Sequence, residues 1–411
     1  MLRNDKQEDS NEQMDFLEME DLTAALSVPS ETFPRAAVAL KDQIVQSTWK
    51  EDLGQGVDPT FCTGLLGTAF TCLKSYEATG DRRDLQLCTD IVDTCAVVFQ
   101  STRDVTFLSG RAGVYALGAV VAEFRDDSER RRLFLDLFEE VAQERALPVG
   151  PDEGGFGMSY ELHHGRAGFL WAVLFINKHL GQDTVPRSLV MPVVEAVLAG
   201  GRVGASDNPL CPLMYRWHGT RYWAAAHGLA GILHVLLHFP LSQEDMEDVK
   251  GTLRYMVRNR FLQSGNYPSS EGNPRDKLVQ WSHGATGVAI ALCKAAQVFP
   301  HEREFRNAAI EAGEVVWKKG LVRKVGLADG VSGNAYALLS LYRLTKEDVY
   351  KERAEAFAGF LYHNAGKMVE ADRLKGGDYH TYSLFHGLAG TACLWFDIAS
   401  PEKSMFPGFE L

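Results

Sequence analysis

The sequence predicts an all-α protein, an (α/α)7 toroid of seven inner and seven outer helices, and three observations carry that expectation. The first is a repeated Gly-x-x-Gly, found at Gly64/Gly67, Gly110/Gly113, Gly165/Gly168, Gly228/Gly231, Gly284/Gly287, Gly330/Gly333 and Gly387/Gly390, with first glycines 46, 55, 63, 56, 46 and 57 residues apart. The second is the run directly after each copy. Residues 168–177 (GFLWAVLFIN), for example, are apolar nearly all round, the pattern of a helix buried on every side. The third is the stretch between copies, such as 304–318 (EFRNAAIEAGEVVWK) or 348–363 (DVYKERAEAFAGFLYH), where apolar residues recur three and four apart on one face. An inner ring of buried helices inside an amphipathic outer ring satisfies both patterns. Alternation of period two is nowhere sustained, so no sheet competes.

Taken in order along the chain, residues 1 to about 30 read as a flexible acidic arm, because 5–21 hold eight acidic side chains against one lysine. Residues 31–411 then form the double ring of helices. Each inner helix is entered through its first glycine, where the chain turns sharply and neighbouring backbones crowd the axis. The chain as a whole has 411 residues, 45% hydrophobic and 23% charged, with a net charge of −12, which supports a folded core and offers no basic stripe for nucleic acid. Its apolar runs end after about eleven residues, short of the roughly 20 that a membrane span needs. Seven dispersed cysteines without a CxxC suggest a reducing, cytoplasmic setting rather than a disulfide framework. No signal peptide or lipid-anchor motif is expected at the start.

If all inner helices begin at one end of the ring, their free N–H groups and positive dipole ends converge on a mouth suited to an anion. The residues immediately before the first glycines are Thr63, Ser109, His164, His227, His283, Asp329 and His386. Thr, Ser and Asp are ordinary helix caps, but histidine is not. His164, His227, His283 and His386 therefore stand as candidate site residues, able to bind an anion, move a proton or ligate a metal. No cysteine occupies this ring of positions, and the nearest is taken to be Cys293, a core thiol. Glu161 lies four residues before Gly165, Arg275 and Asp276 precede the fifth entry, and Arg323 and Lys324 precede the sixth. Trp217, Trp281 and Tyr215 either wall the mouth or pack beneath it.

With these residues in view, the chain from about residue 61 onward resembles the LanC-like proteins, relatives of bacterial lanthionine cyclases, and most closely their plant branch. The resemblance rests on the seven glycine pairs, on 226–231 (AHGLAG), 264–268 (SGNYP), 333–336 (GNAY) and the ending 406–411 (FPGFEL). It implies the same double ring. It also implies a zinc ion at the mouth, held by a Cys of a Trp-Cys-His-Gly segment and by adjacent Cys and His of a Cys-His-Gly segment, which activates a thiol such as glutathione for addition to dehydroamino acids. Here those segments read Trp281-Ser282-His283-Gly284 and Leu327-Ala328-Asp329-Gly330, so all three ligands are replaced and the family zinc is expected to be absent, with no metal-ligating residue and no cofactor. The resemblance further implies that His227 moves a proton with Glu161 as its carboxylate partner, that Arg275 matches an arginine near the metal segment and that Arg323 falls near a basic substrate contact; together with His164, His283 and His386 these two arginines are the expected substrate-binding residues. Plant members have been discussed as hormone-signalling proteins. The expectation is a non-catalytic or degenerate binding and signalling scaffold with a pocket for a peptide, a small thiol or an anion, and a signalling protein as partner. A peripheral place at the plasma membrane, without a membrane-spanning segment, is compatible with that role. The alternative is residual glutathione addition without zinc, run by His227 and Glu161.

Overall fold

The computed structural model describes residues 28–50, 57–99, 104–146, 158–375 and 380–411. The acidic arm, residues 1–30, lies almost wholly outside them. Fourteen α-helices are present among the described residues. The inner ring is α2 (Leu65–Thr79), α4 (Arg111–Phe124), α6 (Arg166–Leu180), α8 (Leu229–Leu236), α10 (Ala285–Val298), α12 (Val331–Thr345) and α14 (Leu388–Ile398). The outer ring is α1 (Thr32–Val45), α3 (Arg82–Val98), α5 (Ser128–Val141), α7 (Arg187–Gly204), α9 (Gln243–Arg258), α11 (Arg303–Lys319) and α13 (Asp348–Leu374). Each inner helix lies against the next, α14 returns to α2, and α1 packs on α14, so both rings close. Only two isolated β-bridges occur among the described residues.

The two helix classes differ as the sequence requires. In α12 every residue from Val331 to Tyr342 is buried, whereas α9 buries only Val249, Thr252, Leu253 and Met256, a single stripe. Outer helices carry their own start signals: Ser242 and Asp245 form a reciprocal capping box on α9, and Asp81 and Asp127 cap α3 and α5. Inner helices have glycine at that position. A Cβ on Gly168 would stand 2.0 Å from the Leu162 carbonyl oxygen and 2.8 Å from Thr106 Cβ, and Gly284 sits at φ 96°, so at these entries a larger residue would push turn and helix apart.

The first N–H of each inner helix, expected to be free at the mouth, is already bonded. In six inner helices the first N–H donates to the carbonyl seven residues upstream: Leu65 to Asp58, Arg111 to Asp104, Arg166 to Ser159, Leu229 to Tyr222, Val331 to Lys324 and Leu388 to Thr381. In the fifth copy the Asn266 side chain takes over, accepting from Ala285 N–H at 2.9 Å and donating to the Leu278 carbonyl at 3.0 Å. Buried donors need partners, and each entry turn supplies its own.

Neighbouring entry turns are also tied to one another. Phe61 and Cys62 donate to the Leu108 carbonyl, Phe107 to Gly168, Ala225 to Trp281, Ser282 to Ala328, Ala328 to Phe385, and Phe385 back to Cys62. Below this girdle the axis is filled by Phe61, Phe107, Trp171, Trp281 and Phe385 with Phe406 and Phe409 of the tail, all at most 2% exposed. Trp171 Nε1 donates to the Phe409 carbonyl at 2.9 Å, and Glu410 is held by Ser340, Arg343 and the Phe406 N–H. The ring is thus a plugged toroid. Phe409→Ala is expected to lower the unfolding free energy by about 3–5 kcal/mol in urea titrations, against less than about 0.5 kcal/mol for Leu262→Ala at a position 94% exposed. Equal, small effects would show that the tail is not part of the core.

Candidate functional site

One junction of the girdle is made by side chains. Between the third and fourth entry turns no backbone bond crosses among the described residues, and Glu161 Oε2 meets His227 Nδ1 at 2.9 Å instead. Glu161 is 2% exposed and fully engaged, its Oε1 accepting from Ser159 Oγ (3.0 Å) and the His164 N–H (2.7 Å), and its Oε2 also from the His163 N–H (2.7 Å). Burial would raise this carboxyl, but the hydrogen bond and charge of His227, helped by His163 and His164, hold it below the usual range. An ionised Glu161 can only accept, so the network assigns the Nδ1 proton to His227 and turns Nε2 away from the carboxylate. That is the orientation a general base needs.

His227 is also fixed from its face. The chain from Arg216 to Arg221 forms a tight hairpin in which Trp217 N–H and Thr220 N–H bond each other's carbonyls at 2.9 and 3.0 Å, with His218 and Gly219 at φ 46° and 80°. It places the Trp217 indole parallel to His227, centroids 3.8 Å apart and planes within 1°. His163 lies 4.9 Å from His227, and Tyr222 lies about midway in contact with both His227 (5.9 Å) and His283 (6.1 Å). Burial, then the charge of His227, pushes His163 down to about 3 and His283 down to about 4, so both rings are neutral near pH 7.

Across the mouth, Asp329 Oδ2 accepts from Lys324 Nζ at 2.8 Å, and its Oδ1 stands 3.5 Å from His386 Nδ1. Burial is outweighed by His386 and Lys324, leaving this carboxyl below its usual range. Arg323 joins Lys324, Asp329, His380 and His386 around a cavity of about 100 Å³. The structure therefore brings His164, His227 and His283 together on one side and His386 and Arg323 on the other. Arg275 is exposed, its N–H held by Asn273, and is not joined to either group by those bonds, while Asp276 braces Asn266. Trp281 and Tyr215 are buried packing residues, and Trp217 alone of the three walls the mouth.

The nearest thiol is Cys62, not Cys293. Cys293 is a core thiol within α10, but Cys62 Sγ lies 3.8 Å from His163 Nδ1, two residues before Gly64. Burial and the charges of Asp58 and Glu161 push it well up, so it is a protonated wall group. His163 and Cys62 belong to an inner ring of positions, two before each first glycine, that the residues immediately before glycine do not reveal. Ser282 and Ala328 occupy the same ring, joined by the 2.9 Å bond from Ser282 N–H to the Ala328 carbonyl. These two and Asp329 supply a hydroxyl, a methyl and a carboxylate already paired with Lys324. Zinc asks for about three thiolate, imidazole or carboxylate ligands, and this donor set does not fit it; no metal-binding group of three or more His, Cys, Asp or Glu occurs among the described residues.

The neutral histidines set a pH dependence. A histidine lowered on folding contributes stability that is lost as pH falls below its unfolded value, here 6.5, towards the folded one. Urea midpoints are expected to fall between pH 6.5 and 4.5, and less steeply in His283→Asn; a variant curve parallel to that of the unaltered protein would contradict a neutral, buried His283.

No helix among the described residues is long and apolar enough to cross a membrane. The fold is that of nisin cyclase, which superposes with a TM-score of 0.65 over 90% of this chain and 94% of that one, at 15% identity. LanC-like protein GCL1 of Arabidopsis thaliana is 63% identical over 98% of this chain and 94% of its own length. Glutathione S-transferase LANCL1 of Danio rerio is 33% identical over 87% of each. The family profile for lanthionine synthetase C-like proteins matches residues 55–411, and the chain belongs to that family.

Proposed function

We propose that this protein is a metal-free LanC-like binding module, whose mouth takes a small thiol peptide of glutathione size or a similar anion and presents it in a cytoplasmic signalling role. The carrying observation is the donor set at Ser282, Ala328 and Asp329, which lacks what zinc-dependent thiol activation requires while the frame around it is kept. The name of the Danio rerio relative, a glutathione S-transferase, supports glutathione as the first probe. Arg323 supplies a cationic side, and the imidazoles of His386 and His227 supply hydrogen-bonding nitrogens, matching a ligand that carries carboxylates and a thiol.

Calorimetric titration of reduced glutathione into the full chain with chelator present tests this. Saturable binding is expected, weakened about tenfold, or ~1.4 kcal/mol, by Arg323→Gln. Addition of glutathione to a dehydroalanine peptide is expected to run far below the rate of a zinc-bearing relative; a matching rate, or no binding, overturns the reading. The Glu161–His227 bond at 2.9 Å favours one second reading, a slow metal-free addition in which His227 Nε2 takes the thiol proton. In that case His227→Ala abolishes the residual rate, and an unchanged rate removes His227 from the chemistry.

A further inference from the structure

The far end of the toroid holds a second cavity that the mouth does not explain. It measures about 450 Å³, in the size range of small-molecule pockets, and opens between α6, α7 and the residues just after α8. It is separated from the mouth by about 18 Å, the rise along α6 over the twelve residue steps from Arg166 to Lys178. Its walls are largely apolar, with Leu174, Val190, Met191, Phe239 and Leu411 among them.

Two polar groups in this lining lack partners. His238 Nε2 is buried without a hydrogen bond. Burial, with Lys294 and Lys178 nearby, pushes the imidazole down to about 3, so it is neutral and keeps a single ring proton. Lys178, at the cavity's exposed edge, forms no ion pair among the described residues; partial burial, then Lys74, holds its ammonium below the usual lysine range, with Glu77 and Glu410 opposing from longer range. Lys178 lies in the last turn of α6 and offsets its negative end, and its ammonium stands at the solvent edge of the cavity without a side-chain partner among the described residues. The one carboxylate side chain in the lining, Asp183, is paired with Arg187 at 3.6 Å. An apolar chamber with one uncompensated cation and one unfilled imidazole nitrogen is complementary to an acid with a hydrocarbon body.

We propose that this cavity binds a small apolar monocarboxylic acid, its carboxylate received by Lys178 and the His238 ring and its hydrocarbon laid against Val190, Met191 and Phe239. The site is independent of the mouth and of any ligand there.

Octanoate is the probe, titrated calorimetrically into the full chain. One saturable site with Kd below about 1 mM is expected, weakened about tenfold by Lys178→Gln, a change at an exposed position that leaves the melting temperature in place. Octanol, which has the chain without the charge, binds the unaltered protein about tenfold more weakly than octanoate and binds Lys178→Gln equally well. Met191→Trp fills the chamber and removes binding, and His227→Ala at the mouth leaves it intact. Absence of saturation, unchanged affinity in Lys178→Gln, or loss of binding in His227→Ala overturns the proposal.

Discussion

The girdle of hydrogen bonds around the mouth is the constraint on which the rest of the structure depends. Seven entry turns must bring their backbones close enough to bond neighbour to neighbour, as Ser282, Ala328, Phe385 and Cys62 do in succession. Each turn also folds back on itself so closely that a Cβ on its glycines would meet its own backbone, and at Gly67, Gly168, Gly287 and Gly390 the neighbouring turn crowds the position as well. The turn also carries the chain into each inner helix with its first donor already satisfied. The mouth therefore owes its chemistry to side chains rather than to exposed helix ends.

Where a backbone bond is missing from the girdle, the Glu161–His227 pair stands in its place. Glu161 closes the third junction by gathering two backbone N–H groups, one hydroxyl and the His227 ring. A carboxylate so bound cannot be removed without leaving several buried donors unpaired, which costs on the order of 1–3 kcal/mol for each. The same bond fixes the tautomer and direction of His227. Glu161 and His227 thus have structural work in the girdle, independent of any chemistry at Ser282, Ala328 and Asp329.

Much of the fold was legible because it repeats. Seven glycine pairs, each followed by an apolar run and an amphipathic stretch, define two helix classes and their ring closure without any contact information. The site was legible only at the positions that share this rhythm. His164, His227, His283 and His386 stand immediately before glycine and were found that way. Glu161 was marked by its place before Gly165 and by the resemblance, but its burial was not legible because its partners come from its own turn and from residue 227, 66 positions away. Cys62 and His163 were missed because the inward-facing position two before each glycine becomes meaningful only when the turns are set side by side. The signal was present in His163-His164, where one copy carries two adjacent imidazoles. The role of Asn266 in replacing a backbone bond at the fifth entry was equally hidden, although the SGNYP segment had marked the place.

The central claim is that the mouth works without metal, and metal content per chain measures it directly. Tag-free protein, purified beside a zinc-bearing relative and analysed by elemental mass spectrometry, is expected to hold far less than one zinc per chain while the relative holds about one. A stoichiometry near one in this protein, lost together with His283→Ala or Asp329→Ala, would contradict the account and show a rebuilt metal site.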